Sequence, residues 1–399
     1  PVKEPTDTLL DEEKYKVDIW SWNDKQLQPM QKKRLDQELK RTYQAVYHID
    51  SNVMFQLADT AVPTVTIEPD ALSDYALGIS NTAYQKLSSW DSRNYADYYL
   101  VNIKTGTRTK ILTRHPSPVI LSPAGRYFLA WSTEERQYQV LSHTGAIIKR
   151  ILLPENYPLH NELHDTPNDP SPYGIAGWAE DDSHLLIYDR YDMWSFRIEG
   201  KEDPVNVTNG YGRSNNIRFR YVKLDPDADF ISLKEPVCVS AFNIMSKEAG
   251  FFSVRPLKRE NPTRLIMEKA SFSGTVKKSK YSSRIIWLKE SYDLSPELYV
   301  SDLNYSDGIK LSVSNPQQST YNWITAELFR WTSFDKQELQ GILYKPENFD
   351  SAGQYPMIVY FYERSSDGLY RYNPPAPSAS TINRSFAASN GYIIFVPDI

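Results

Sequence analysis

Cysteine is almost absent from this sequence, which holds a single one, Cys238, in 399 residues. One cysteine excludes an intrachain disulfide and any metal site built from several thiolates. Cys238 stands in an apolar stretch, residues 236–239, so burial as a small hydrophobic residue is favoured over a role as a nucleophile. The absence of disulfides does not by itself identify a cellular compartment, because many exported proteins also lack them.

Long apolar runs and a strong charge imbalance are also missing. No run of about 18 apolar residues occurs, which predicts that no helix spans a membrane. The net charge of −5 provides no electrostatic reason to expect a nucleic acid or an anionic membrane as partner. Glycine is scarce at 16 residues, whereas proline reaches 26 and aromatic residues 13%. Frequent proline and abundant aromatics favour many short strands over long helices.

The first 51 residues are interpreted as an N-terminal segment. A short strand is predicted at Asp18–Trp22, where aromatic and β-branched residues cluster. Residues 29–47 contain no glycine and are rich in Gln, Lys, Arg and Leu, which are good helix formers. Apolar residues recur there at spacings of three to five, which predicts a charged, solvated helix without a catalytic role.

From residue 52 to residue 325 short strands alternate with turns. Residues 98–103 and 108–112 read as two strands joined by a turn at Lys104-Thr105-Gly106, which indicates a hairpin. A loose motif then recurs: an apolar residue, Ser-Pro or Trp-Ala, a polar turn with Gly or Asp, and an apolar strand. It begins at Leu121 and again at Trp178.

This repeat predicts a β-propeller. A four-stranded unit of about 40–55 residues is the repeat length of a propeller blade, and stacked blades bury faces that one sheet leaves exposed. About five such units fit between residues 52 and 325. A β-sandwich is the alternative, but it does not explain the recurring turn motif.

The pattern changes again over residues 326–399. Strands are predicted at 326–331 and 338–346, and residues 356–362 form a near-continuous apolar strand, as expected of one buried on both faces. A helix is predicted at 380–390, with Asn390-Gly391 as its stop, before a second buried strand at 392–396. A helix between apolar strands indicates the beginning of an α/β sheet.

The order of these pieces resembles the prolyl oligopeptidase (S9) family of serine peptidases. The resemblance rests on Ser295 to Leu303, on the Tyr-Pro-apolar strand that begins at Tyr355, and on the Asn-Gly-Tyr-apolar strand that begins at Asn390. It implies a mainly β fold, in which β-propeller blades precede the first strands of a truncated α/β-hydrolase domain. It also implies peptide substrates of prolyl oligopeptidase or dipeptidyl peptidase type. The first 50 residues, which match no known pattern, suggest a bacterial branch of the family, and a periplasmic or secreted location is favoured over a cytoplasmic one.

The resemblance assigns one site residue. By position, Tyr362 matches the tyrosine whose phenol donates a hydrogen bond in the oxyanion hole of this family. The sequence departs from the family directly afterwards, where Glu363 to Gly368 replaces a turn of small residues. Two alternatives stay open: Tyr362 is a strand-end aromatic that only packs, or Tyr360 is the matching residue.

The nucleophile of an α/β-hydrolase requires Gly-x-Ser-x-Gly, since glycines tolerate the sharp turn that exposes the serine. No serine in this sequence fits that pattern. The resemblance implies that the Ser, Asp and His of the triad lie beyond Ile399. The chain is therefore interpreted as an inactive fragment whose partner is the remainder of the hydrolase domain.

Other motifs carry less weight. His160 and His164 are spaced as two metal ligands on a helix, but prolines surround them and a surface loop is favoured. No metal and no cofactor is predicted. The acidic pairs Glu12-Glu13 and Glu134-Glu135 read as solvated charges rather than as a clamp for a substrate amine. The alternative to a peptidase is a non-catalytic binding propeller or a pseudo-hydrolase.

Overall fold

The computed structural model describes residues 10, 12–15, 17–67, 73–274 and 276–399. It divides into two compact units, Pro1–Leu152 with Thr166–Asp169, and Leu153–Asp165 with Pro170–Ile399. Strands dominate both units. Within the described ranges, no helix has the length and apolarity needed to cross a bilayer. The predicted domain bounds are not tested by this division and stay a prediction.

The N-terminal helix is shorter than predicted. Helix α1 covers Gln28–Leu39, begins with proline in its first turn and buries none of its residues. The predicted extension to residue 47 is wrong, because strand β1 (Ala45–His48) pairs antiparallel with β2 (Val53–Gln56). Aromatic and β-branched residues in this stretch gain cross-strand partners in the hairpin, which a solvated helix does not offer.

The short strand predicted at Asp18–Trp22 is also absent from the structure. Residues 17–21 have no regular structure, and the side chains of Ile19, Trp20 and Trp22 are exposed. An aromatic cluster favours a strand only where a neighbouring strand and a packing surface are present.

The first unit contains two four-stranded antiparallel sheets whose strands follow one another in chain order. Sheet 1 comprises β3 (Thr64–Thr66), β4 (Tyr75–Ser80), β5 (Ala96–Asn102) and β6 (Arg108–His115). Sheet 2 comprises β7 (Val119–Leu121), β8 (Phe128–Ser132), β9 (Gln137–Leu141) and β10 (Ile147–Ile151). One buried cluster joins the two sheets, with Leu77 and Tyr98 from sheet 1 and Phe128 and Leu141 from sheet 2.

The second unit begins with three sheets of the same design. Sheet 3 comprises β11 (Ile175–Trp178), β12 (His184–Tyr188), β13 (Met193–Arg197) and β14 (Val205–Asn206). Helix α2 (Tyr211–Asn215) leads to sheet 4, with β15 (Ile217–Tyr221), β16 (Val237–Asn243), β17 (Ala249–Val254) and β18 (Thr263–Glu268). Sheet 5 comprises β19 (Lys277–Lys278), β20 (Ile285–Lys289), β21 (Glu297–Ser301) and β22 (Ile309–Lys310). Consecutive sheets again share buried clusters.

Five four-stranded sheets thus lie in the described part of the chain between residues 64 and 310, which matches the predicted number of repeats. Each is an antiparallel meander that buries both faces only by packing against neighbours. This is the design of propeller blades, and the prediction of a mainly β, propeller-like fold is confirmed.

The last sheet is different and mixes strand directions. It comprises β23 (Ile324–Thr332), β24 (Glu338–Pro346), β25 (Met357–Val359) and β26 (Ile393–Pro397), in the spatial order β23-β24-β26-β25. Helix α3 (Arg384–Ser389) connects β25 to β26, which run parallel. The predicted α/β sheet is therefore present, and Gly391 ends the helix with a φ of +88°.

One prediction about this sheet is wrong. The strand expected over residues 356–362 is reduced to β25 and lies at the edge of the sheet, where Met357 and Val359 are 52% and 50% exposed. Strand β26 takes the central position instead, and its Ile394 and Val396 are fully buried. A continuous apolar run does not distinguish a central strand from an edge whose outer side is open.

Candidate functional site

Parallel strands place their carboxyl ends at the same edge of a sheet, which is where open α/β sheets bind ligands. In this chain β25 and β26 form such a pair, with Ile358 opposite Ile394 and Val359 opposite Phe395. The backbone N–H of Tyr360 continues the ladder by donating to the carbonyl of Phe395 over 2.9 Å. The segments that follow, residues 360–368 and Asp398, therefore lie at one edge.

Tyr362 stands in the exposed part of this edge. Its side chain is 73% exposed and Phe361 is 61% exposed. Tyr360, in contrast, is half-buried and packs against the cluster that contains Ile342, Tyr344 and Ile394. In a continuous strand Tyr360 and Tyr362 would point to the same face and be equally buried. Because the strand ends at Val359, the two side chains instead differ in exposure.

The backbone after Tyr362 turns sharply. Glu363 adopts a φ of +57°, in the left-handed region that few residues other than glycine enter. A non-glycine residue thus holds the left-handed position at this turn, and Gly368, the glycine of the segment Glu363 to Gly368, comes only after it. Such strain persists only where the surroundings fix the backbone.

Asp398 holds the backbone that directly follows this turn. Its carboxylate accepts hydrogen bonds from the backbone N–H groups of Ser365 (2.7 Å) and Ser366 (2.8 Å) and from the hydroxyl of Ser366. The amide of Gln340 in β24 donates to the same carboxylate over 3.2 Å and to the Ser366 Oγ over 2.9 Å. Residues 360–368, hereafter the Tyr362 loop, are therefore tied to β24 and to the end of β26.

The charge of Asp398 is favoured by these contacts. Partial burial opposes ionisation, but the hydrogen bonds from Ser366, Ser365 and Gln340 outweigh it and lower the pKa of Asp398. The amides of Ser365 and Ser366 are consumed by this carboxylate and are not offered to an external anion. Tyr362, whose phenol O–H can donate a hydrogen bond, is largely exposed, as are its neighbours Phe361, Glu363 and Arg364.

Sequence reasoning missed Asp398, Ser366 and Gln340. A signal for Asp398 existed, since an acidic residue directly after a buried parallel strand lies at the ligand-binding edge of such a sheet. Nothing in the sequence pairs it with Ser366, which is 32 residues away.

His160 and His164 lie in a loop, as predicted. His160 forms an isolated bridge with Pro172, and the backbone of Asn161 bonds to Ser171 over 2.8 Å. Among the described residues, no group of three or more potential ligands is arranged to hold a metal. Glu134 and Glu135 are exposed, in agreement with solvated charges.

A cavity of about 530 Å³ lies elsewhere in the second unit, between sheet 5 and the segment that leads into β23. Its buried acid, Glu297, accepts hydrogen bonds from Ser312 and from the backbone of Ser314, and pairs with Lys310 at 3.4 Å. Donors from the protein therefore already satisfy the Glu297 carboxylate. Its role is to hold β22 and the residues after it against β21, and it is not a candidate ligand-binding group.

Comparison with known proteins supports the fold. Neither a protein-family model nor a curated protein sequence matches the chain. Solved structures do. Dipeptidyl peptidase 4 from Porphyromonas gingivalis matches with a TM-score of 0.57 at 11% identity, over 89% of this chain and 54% of that one. A provisionally assigned dipeptidyl aminopeptidase IV from Bacteroides ovatus matches with a TM-score of 0.54 at 15% identity, over 89% of this chain and 58% of that one.

At this level of identity the likeness shows the fold, and the predicted resemblance to prolyl oligopeptidase-type (S9) peptidases is confirmed in that respect. The chain spans little more than half the length of these two peptidases.

Proposed function

We propose that this chain is part of a serine peptidase that hydrolyses short peptides, with Tyr362 as a donor in its oxyanion hole. The observation that carries the proposal is the exposed Tyr362 phenol at the carboxyl edge of β25 and β26, beside a loop held by Asp398. The shared fold with two peptidases supports it. Fold alone does not establish activity, so the site residue bears the argument.

The proposed chemistry is acyl transfer. A serine hydroxyl attacks the scissile carbonyl carbon, a base takes the hydroxyl proton, and the carbonyl electron pair moves onto the oxygen. When that electron pair returns, the C–N bond breaks and the base gives its proton to the leaving amine, and water later releases the acyl group from the serine. The Tyr362 O–H donates a hydrogen bond to that oxygen as its negative charge develops. Such a donor is effective because it is fixed before the charge appears. In this proposal the serine, its base and the orienting acid belong to sequence outside the 399 residues.

The proposed partner within the same protein is the rest of the hydrolase domain. Strand β25 is an edge strand, and Met357, Val359 and Phe361 are all at least half exposed. An open apolar edge is a surface on which a further strand adds. The proposed substrates are short peptides, as the resemblance to prolyl oligopeptidase-type peptidases implies.

The test is kinetic and uses a longer protein that contains the sequence following Ile399. Tyr362→Phe removes one hydrogen bond that is strongest in the transition state. We expect kcat to fall by about 10²–10³, equivalent to about 3–4 kcal/mol, with KM little changed. Tyr360→Phe is the matched control, because its half-buried ring keeps its packing and we expect near-normal kcat.

Two results would contradict the proposal. If Tyr360→Phe loses kcat and Tyr362→Phe does not, the wrong tyrosine has been assigned. If neither variant loses activity, another group stabilises the oxyanion. A longer sequence without Gly-x-Ser-x-Gly followed by Asp and His would instead favour the non-catalytic propeller or the pseudo-hydrolase.

A further inference from the structure

The turn between β16 and β17 in sheet 4 is tightly organised. The Asn243 side chain accepts hydrogen bonds from the backbone N–H groups of Met245 and Ser246, both at 2.9 Å. The N–H of Lys247 donates to the carbonyl of Asn243 over 2.8 Å, and Lys247 itself adopts a φ of +65°. A left-handed lysine in a closed turn has a fixed backbone direction, so its side chain leaves the turn at a defined angle.

That side chain is buried against the Tyr362 loop. The Lys247 side chain is only 2% exposed, and its ammonium lies 2.9 Å from an Asp367 carboxylate oxygen. Burying an ammonium without a countercharge is costly, whereas Asp367 remains 54% exposed. The buried Lys247 ammonium therefore needs Asp367 as its countercharge, whereas the exposed Asp367 carboxylate is solvated without Lys247. This ion pair links the Tyr362 loop to the turn between β16 and β17.

A second contact holds the same turn against the last sheet. The guanidinium of Arg330 in β23 donates to the carbonyl of Met245 over 2.5 Å. The turn is thus in contact both with β23, through Arg330, and with the Tyr362 loop that follows β25, through Asp367. The turn is therefore in contact with the last part of the chain at two residues, Met245 and Lys247.

We propose that Lys247 is a positioning residue for Tyr362. Residues 365 and 366 are held by Asp398, residue 367 by Lys247, and the carbonyl of Glu363 accepts from the Ile399 N–H at 3.4 Å. These contacts restrict the backbone of residues 363–367, which directly follow Tyr362. The inference rests on the proposed function, because a preorganised phenol matters only where charge develops.

Hydrogen exchange in the present chain tests the anchoring without any activity. Lys247→Met removes the ammonium while keeping an unbranched side chain. We expect amide exchange of residues 363–369 to accelerate by about tenfold or more, because one charge-assisted hydrogen bond is lost. The strands β16, β17 and β24 should keep their protection against exchange. Asp367→Ala should accelerate exchange at least as much, because it leaves the buried Lys247 ammonium without its countercharge. The double variant should resemble Lys247→Met, since neither of these two variants holds an unpaired buried charge.

Lys280→Met is the matched control. Lys280 pairs with Asp227 at 3.4 Å, and both side chains are more than 70% exposed, so we expect no change in the loop. Unchanged exchange of residues 363–369 in Lys247→Met would overturn the proposal, as would equal acceleration throughout sheet 4 and the last sheet. If Lys247→Met does not fold, Asp367→Asn decides the question, because its amide oxygen still accepts from the Lys247 ammonium and only the charge is removed; faster exchange of residues 363–369 is again the expected result.

Kinetics in the longer protein separate this inference from the proposed function. We expect Lys247→Met to lower kcat more than it changes KM, and Lys280→Met to leave both unchanged. A loss of kcat in Tyr362→Phe without one in Lys247→Met would refute the positioning role. If Tyr362→Phe has a normal kcat while Lys247→Met accelerates exchange of residues 363–369, the proposed role of Tyr362 is wrong. The anchoring of the loop by Lys247 is then still supported.

Discussion

At the scale of single residues, Cys238 shows how burial sets chemistry. Its side chain lies in the cluster between sheets 4 and 5, with its sulfur 3.9 Å from the hydroxyl of Tyr305. Burial raises the pKa of Cys238 to about 12, although the hydrogen bond with Tyr305 opposes the shift. The thiol is therefore kept neutral, as the apolar sequence around it predicts.

We expect the Cys238 thiol to resist modification in the folded protein. At pH 8 a pKa near 12 leaves roughly a thousandfold less thiolate than an ordinary cysteine has. Reaction with a chromogenic disulfide reagent should accordingly be slower by about that factor in the native chain than in the urea-unfolded chain. Native and unfolded rates within tenfold of each other would contradict the buried, neutral thiol.

At the scale of elements, the last sheet is uneven in its protection. Strand β26 and the middle of β24 bury Ile342, Ile394 and Val396 completely, whereas β25 leaves half of Met357 and Val359 open. An exposed apolar edge strand invites pairing with another chain. The sheet therefore has a well-packed centre and one edge that favours association.

We expect residues 326–399 to exchange their amides faster than sheets 3–5, and the chain to self-associate through β25. Val359→Lys places a charge on that edge and should weaken association by about tenfold, or about 1.4 kcal/mol. Sedimentation velocity over a range of concentrations measures this.

Val313→Lys is the control for the edge variant. Val313 is 69% exposed and lies outside the last sheet, so the same substitution should leave association unchanged. A chain that stays monomeric, with slow exchange throughout residues 326–399, would contradict the prediction.

At the scale of the whole molecule, the chain combines five propeller-type sheets with four strands of an α/β sheet in its described part, and its sequence contains no nucleophile elbow. Acyl transfer requires an activated nucleophile together with its base. The exposed Tyr362 donor alone supplies neither.

We expect these 399 residues to have no peptidase activity. Fluorogenic dipeptide and proline-containing substrates should give no turnover above the blank, and a fluorophosphonate probe should not label any serine. The longer protein described above is the positive control. Reproducible turnover or labelling of a single serine in the 399-residue chain would show that the assignment of the nucleophile to other sequence is wrong.

The sequence by itself determined the local elements and their order. Recurrent turns and alternating apolar residues predicted the repeated sheets, and the strands at 326–331 and 338–346 appear as β23 and β24. These features depend on neighbours along the chain, such as turn residues and side-chain periodicity. The end of the first helix was predicted less well, since composition and apolar spacing continue to residue 47 whereas the helix ends at Leu39 and Ala45–His48 pairs as a strand.

Only the tertiary structure decided which strand is central and what surrounds Tyr362. The apolar runs of β25 and β26 look alike in sequence, yet one lies at the edge and the other in the middle of the sheet. The contacts of Asp398 with Ser366 and of Lys247 with Asp367 join residues 32 and 120 positions apart. Such pairs are set by how sheets pack in space, and no spacing along a single sequence encodes them.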